Sequence, residues 1–226
     1  MANNKNQTET RTSIDELNDS LSSIEQKVEN NKKMIGWAVT ALLAVICLII
    51  AYIFLIREPG IQSANEAIGQ ADVTLAQGND SIALVQYQQV ANEYGYDAGN
   101  RAALQAAILL YEKKDYQAAL DYAKRYDAEE NLIGAAAAAL QGDCLVNLEK
   151  YDEAIDAFQK AVKISDGNAL YTPIFLMKQA TVLRHQERYA DEAKIYEEIK
   201  AEYPEFGAAY NVDIEKYLQR AQAQAK

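Results

Sequence analysis

The 226-residue sequence has one histidine, two cysteines and three prolines, and each scarcity removes a class of protein. Cys47 lies inside a long apolar run and Cys144 in the polar part that follows. The two fall on different sides of the membrane interface that this run implies, so they do not form an intrachain disulfide framework. Cys144 reads as a small buried helix residue. The single histidine, His185, stands between Arg184 and Arg188 at the exposed end of a helical pattern and reads as a surface residue rather than a base. There is no Gly-x-Ser-x-Gly, phosphate-binding loop, zinc-ligand cluster or dinucleotide fingerprint. The acidic pairs Asp152-Glu153 and Glu197-Glu198 fit solvated helix faces. No enzyme, metal or cofactor is therefore expected. Positive charge is also short: 22 Lys and Arg stand against 33 Asp and Glu, a net charge of −11. That excess argues against nucleic acid, which needs a basic surface, and against broad adhesion to anionic lipid. With few prolines, many Ala, Leu, Gln and Glu, and no sustained strand alternation, the composition is helical.

One long apolar run is present. Residues 34–56 (MIGWAVTALLAVICLIIAYIFLI) carry no charge, and 13 of them are Leu, Ile, Val or Phe. As a helix the run is about 35 Å long, enough to cross a hydrocarbon core of ~30 Å. A polar stretch of 33 residues precedes it, and no Ala-x-Ala site follows, so it reads as a retained single-span anchor rather than a cleaved signal peptide. Lys27, Lys32 and Lys33 lie just before it. After Arg57 no Lys or Arg occurs until Arg101, which places the N-terminus in the cytoplasm and the rest of the chain across the membrane. Pro59-Gly60 is expected to end the anchor helix.

Residues 1–12 are polar and aperiodic. Ile14, Leu17, Leu21, Ile24, Val28, Asn31 and Ile35 then follow at alternating spacings of 3 and 4, and Ser13 with Glu16 fits a capping box. This short heptad stretch offers a seam for self-association through 14–35. It equally fits an amphipathic helix on the cytoplasmic leaflet, or one continuous with the span.

From about residue 61 the chain reads as a series of helical hairpins. Breaks are expected at 77–79, 96–100, 114–115, 127–128, 149–150, 165–168, 186–188 and Pro204. Gly142, Leu145, Tyr151, Ala154, Phe158 and Ala161 are followed in register by Ala180, Leu183, Tyr189, Tyr196 and Ile199, and preceded by Ala107, Leu110, Tyr116, Ala119, Ala123 and Tyr126. A degenerate first copy holds Ala83, Tyr87 and Val90. Glu192 departs from the pattern by standing where Ala is expected. Corresponding second-helix positions 83, 119, 154 and 192 are 36, 35 and 38 residues apart. This pattern closely resembles the tetratricopeptide repeat, in which small residues let paired helices approach and aromatics fill the gaps between stacked hairpins. The expected architecture is all-α: one N-terminal transmembrane helix (34–56) after a polar segment (1–33), then a tetratricopeptide-type α-solenoid (61–226). An amphipathic stretch at 213–223 serves as its C-terminal capping helix.

Such a stack binds proteins in a concave groove lined by the first helix of each hairpin. Register places Arg101, Leu104, Ile108 and Tyr111 there from one repeat, with Glu112 beside them. The next repeat adds Ala136, Ala139, Asp143, Val146 and Asn147, and the last adds Ile174, Met177, Thr181, Arg184 and His185. Leu104, Ile108 and Tyr111 form the most ligand-like group. No two-carboxylate-clamp set of Lys, Asn and Arg is evident. The layout of short cytoplasmic segment, single span and repeat domain resembles the bacterial YfgM-type ancillary subunit of the SecYEG translocon. So do Tyr94-Gly95, the Ala98-Gly99-Asn100-Arg101-Ala102 run and Thr172-Pro173-Ile174-Phe175. That resemblance implies an inner-membrane protein with a periplasmic repeat domain. Its partners would be proteins: translocon subunits, a periplasmic foldase or unfolded clients. The alternative is a structural scaffold with one fixed partner in an envelope complex.

Overall fold

The computed structural model describes residues 21–24, 26, 28–127 and 131–226, and these contain helices and turns but no strand. They fall into two compact units, residues 1–59 and 60–226. In the first unit, residues 21–24, 26 and 28–30 are helical, and Leu21, Ile24 and Val28 are exposed. Ser13, Ile14, Glu16 and Leu17 of the expected heptad lie outside the described residues. Helix α1 (Lys32–Tyr52) follows and holds no buried residue. Among the described residues it opens the one stretch, Lys32–Ala76, that contains a helix long and apolar enough to cross a membrane.

Pro59-Gly60 does not end this helix. A π-helical turn over Ile53–Arg57 precedes it, in which the Glu58 N–H donates to the Ile53 carbonyl, and α2 (Glu58–Ala76) carries the helical path through both residues. A proline removes one N–H and crowds the carbonyl four residues back. A widened turn just before it relieves that crowding, so the helix is bulged rather than broken.

The second unit is a stack of hairpins. α2 is joined to α3 (Asp80–Glu93) by a tight turn and by the Tyr87 hydroxyl donating to Asp72, while α4 (Tyr96–Glu112) pairs with α5 (Tyr116–Arg125), α6 (Asn131–Asn147) with α7 (Tyr151–Ile164), and α8 (Thr172–His185) with α9 (Tyr189–Glu202). The second helix of one hairpin also packs on the first helix of the next: α3 on α4, α5 on α6, α7 on α8. A short α10 (Phe206–Tyr210) leads to α11 (Ile214–Gln224), which lies on α9 as the next first helix would. Asp213 starts α11 by accepting from the Lys216 N–H at 2.9 Å. α4 starts at Tyr96, so residues 96–100 form its first turn and the break falls at 94–95.

All four hairpins turn in the same way. Gly78, Lys114, Glu149 and Glu187 take positive φ values of 77°, 64°, 59° and 59°. After each, the next N–H reaches five residues back: Asn79 to the Thr74 carbonyl, Asp115 to Leu110, Lys150 to Leu145, Arg188 to Leu183. These are Schellman C-caps, which satisfy the carbonyls that a helix end leaves open. The first hairpin shares the device, although its sequence is the most degenerate copy.

Small residues carry the close approaches. Ala71, Ala107 and Ala180 are fully buried, and a Cβ built on Gly142 would lie 2.6 Å from the Phe158 ring. Ala83, Ala119, Ala154, Tyr87, Phe158 and Tyr196 are buried on the second helices, as the repeat register requires. Cys144 is buried on α6, and burial pushes its thiol up to about 12.

Glu192 breaks the run of alanines and is fully buried. Arg220 of α11 donates to its Oε1 at 2.8 Å and rests over the Tyr217 ring, which stacks on Tyr196 at 5.6 Å. Lys200 and Glu215 add an ion pair at 2.5 Å on the outside of the same contact. The departure from the repeat pattern is thus the socket of the capping helix.

Candidate protein-binding groove

The first helices α4, α6 and α8 carry the expected groove positions, which run from thirteen to two residues before the left-handed residue of each Schellman turn. On α4, Leu104, Ile108 and Tyr111 are half-buried and Arg101 is exposed. On α6, Asp143 is half-buried and Asn147 exposed, whereas Ala139 is buried in the core and offers a partner no contact. On α8, Met177 is half-buried against the second apolar cluster and Arg184 is exposed.

The structure joins four of these residues, Arg101, Tyr111, Asp143 and Asn147, across the hairpin junctions. Arg101 Nη2 lies 3.3 Å from Asp72 Oδ2 of α2, whose other oxygen accepts from the Tyr87 hydroxyl at 2.6 Å. Asn147 Nδ2 donates to the Tyr111 hydroxyl at 3.3 Å and to the Asp143 carbonyl at 2.8 Å. Lys178 Nζ donates to both carboxylate oxygens of Asp143, at 2.7 and 2.9 Å. Each junction therefore has a polar clasp between first-helix residues. Ion pairs this exposed contribute roughly 0–1 kcal/mol each, so their larger effect is to hold side chains in place. Burial raises the Tyr111 hydroxyl above its usual value, with the Asp143 carboxylate adding to the effect, so it stays protonated at neutral pH. Tyr87 is raised by burial and by its bond to Asp72.

Asp72 and Lys178 are the site residues that sequence reasoning missed. Asp72 stands in register with Ile108, Asp143 and Thr181, and extending the repeat into the degenerate first copy would have found it. Lys178 follows Met177 directly, and only the structure shows that it turns towards the preceding hairpin.

A cleft of about 460 Å³ opens between the third and fourth hairpins, at the turn end of α6 and α8. Val146, Tyr151, Thr181, Val182 and Tyr189 line it, with Arg184, His185 and Glu187 at its rim. His185 packs against the Tyr151 ring at 4.6 Å.

Comparison with known proteins agrees with this fold. A family model described as the tetratricopeptide repeat matches residues 128–169, which span α6 and α7. No curated protein matches the chain by sequence. Among solved structures, a crystal structure of MamA protein is similar at 17% identity with a TM-score of 0.53, covering 72% of this chain and 88% of that one. A second MamA structure is similar at 16% identity and 0.52, covering 69% and 94%. YrrB, described as a TPR protein with an unusual peptide-binding site, is similar at 17% identity and 0.50, covering 70% and 79%. At these identities the likeness shows the fold: a tetratricopeptide-type stack of helical hairpins.

Proposed function

We propose that this chain is a membrane-anchored, non-catalytic protein-binding adaptor that works through the groove of its hairpin stack. The observation that carries the reading is the half-exposed apolar run Leu104, Ile108 and Tyr111 on α4, set between polar groups already held by junction clasps. Apolar surface supplies affinity, and pre-paired polar groups cut the cost of ordering the site on binding. The peptide-binding site named for the similarly folded YrrB supports a peptide-type ligand.

The finer reading is an accessory of the Sec translocon, resembling the YfgM-type family, that holds emerging envelope proteins. It rests on the apolar helix of residues 34–56 as anchor, with the N-terminus in the cytoplasm and the hairpins in the periplasm. The pre-paired clasps favour a second reading, a scaffold with one fixed partner, because a rigid polar frame suits one surface better than many. The exposed Leu21, Ile24 and Val28 supply the described part of a seam for self-association through 14–35.

Photocrosslinking in cells from Leu104, Ile108 or Tyr111 separates the readings. Many nascent clients together with translocon adducts are expected for the accessory. One stoichiometric partner without a translocon adduct supports the scaffold, and no protein adduct at all refutes the groove. Protease added outside spheroplasts is expected to digest the hairpins, and full protection would refute the orientation.

A further inference from the structure

Resting on the adaptor reading, we propose that the cleft between the third and fourth hairpins is a specificity pocket. It takes one apolar side chain of a partner peptide, and Arg184 at its rim pairs with an acidic residue adjacent to that side chain.

The other cations on the first helices of the groove are already neutralised: Arg101 by Asp72 and Lys178 by Asp143. Arg188, in the turn after α8, is held by Asp152 and Asp191. Among the described residues Arg184 has no carboxylate within ion-pair distance, although the chain carries 33 acidic residues. An exposed guanidinium left open on an acidic protein is a planar, two-pronged hydrogen-bond donor for a carboxylate from outside.

The cleft adds shape to charge. Its volume of about 460 Å³ falls in the range of small-ligand sites, ~300–1,000 Å³. Val182 is buried at its floor, and Val146, Tyr151 and Tyr189 give it apolar walls. The Tyr151 ring is held by His185, so this wall is formed before anything binds. Glu187 also sits on the rim and opposes an acidic ligand, which makes its charge a second handle on the same site. The occupant is therefore a short acidic segment with an aromatic or long aliphatic residue, not a basic or purely apolar one.

The test is selection from a displayed library of random twelve-residue peptides against the full-length chain in lipid nanodiscs. Recovered peptides are expected to place an acidic residue beside an apolar one. R184E should weaken them by tenfold or more, T181F should block the cleft by bulk, and E187Q should tighten binding about two- to threefold. Added salt should weaken binding to the wild type and have little effect on what remains with R184E. Circular dichroism identical to wild type will show that the exposed substitutions leave the fold intact. Peptides that bind wild type and R184E alike, peptides without acidic residues, or the absence of any binder would overturn the proposal. The two readings fail separately. Adducts from Leu104 or Ile108 that R184E leaves unchanged keep the groove and remove the pocket. Arg184-dependent peptides without such adducts keep the pocket and remove the groove.

Discussion

Gly142 and Phe158 show how little room a single contact leaves. A methyl group at Gly142 would meet three ring carbons between 2.6 and 2.8 Å. Gly142→Ala is expected to cost about 1–3 kcal/mol in denaturant unfolding, with part of the loss recovered by adding Phe158→Leu. At the far end of the stack, the Glu192–Arg220 pair is asymmetric: Glu192 is fully buried and the Arg220 side chain is 34% exposed. Arg220→Ala strands a buried carboxylate and should cost about 3 kcal/mol, whereas Glu192→Ala restores the repeat's own residue and lets Arg220 reach water, costing roughly 1 kcal/mol. Equal losses would refute this account. Buried acids set the alkaline limit, Tyr87 among them. Tyr196 is raised to about 12 by burial and by the Glu192 carboxylate beside it, and Cys144 to about 12 by burial. Both bind their protons more tightly folded than unfolded, so their contribution is whole below the unfolded values and is lost as pH rises towards 12. The urea midpoint should hold from pH 7 to 9 and fall steeply above about 10, and Tyr196→Phe should flatten that fall. Of these residues, Gly142 and Phe158 were legible from repeat register. Glu192 was legible only as an anomaly, because its partner stands 28 residues further along the chain.

At the scale of elements, the shared turn carries a cost that three hairpins bear and one avoids. Lys114, Glu149 and Glu187 hold left-handed backbone where a side chain is strained by roughly 1–2 kcal/mol, and Gly78 holds it freely. Replacing any of the three by glycine should stabilise the chain, by about 0.5–1 kcal/mol after the entropy that glycine adds to the unfolded state. A thermal melt that falls instead would show that the side chain itself holds the turn. Lys114 is the cleanest of the three to test, because Glu187 lines the cleft and the Glu149 turn borders α7. Turn positions were easy to read because polar pairs interrupt each apolar period. The two misplaced boundaries share a cause: a glycine and a proline were read as helix breakers, and both lie within the first turn of a helix. Gly99 stands inside the first turn of α4, where a Cβ would fall 2.0 Å from the Tyr94 carbonyl oxygen. Pro59 is absorbed by the π turn before it.

For the whole molecule, the all-α hairpin stack was legible because a period of about 35 residues repeats four times, each copy with the same small and aromatic positions. The groove was only partly legible. Register marks which positions face one side, but Ala139 is covered by its neighbours, and the clasps join residues from different copies. The stack's two ends also differ. Val73 of α2 is 51% exposed, while its counterparts Leu109, Cys144 and Val182 are 4%, 0% and 4% exposed against the preceding hairpin. Val73→Ser should therefore shift stability by less than ~0.5 kcal/mol, and Leu109→Ser by several times that, in parallel denaturant titrations. The opposite end is closed by the socket of α11. Repeat arrays commonly change length by duplicating a unit, and this one resists doing so at its C-terminal side. A copied hairpin inserted after α9 would bring an ordinary first helix against Glu192, with no arginine to meet the carboxylate. Lengthening there requires a simultaneous return to alanine, so one buried side chain acts as an evolutionary stop codon for repeat number.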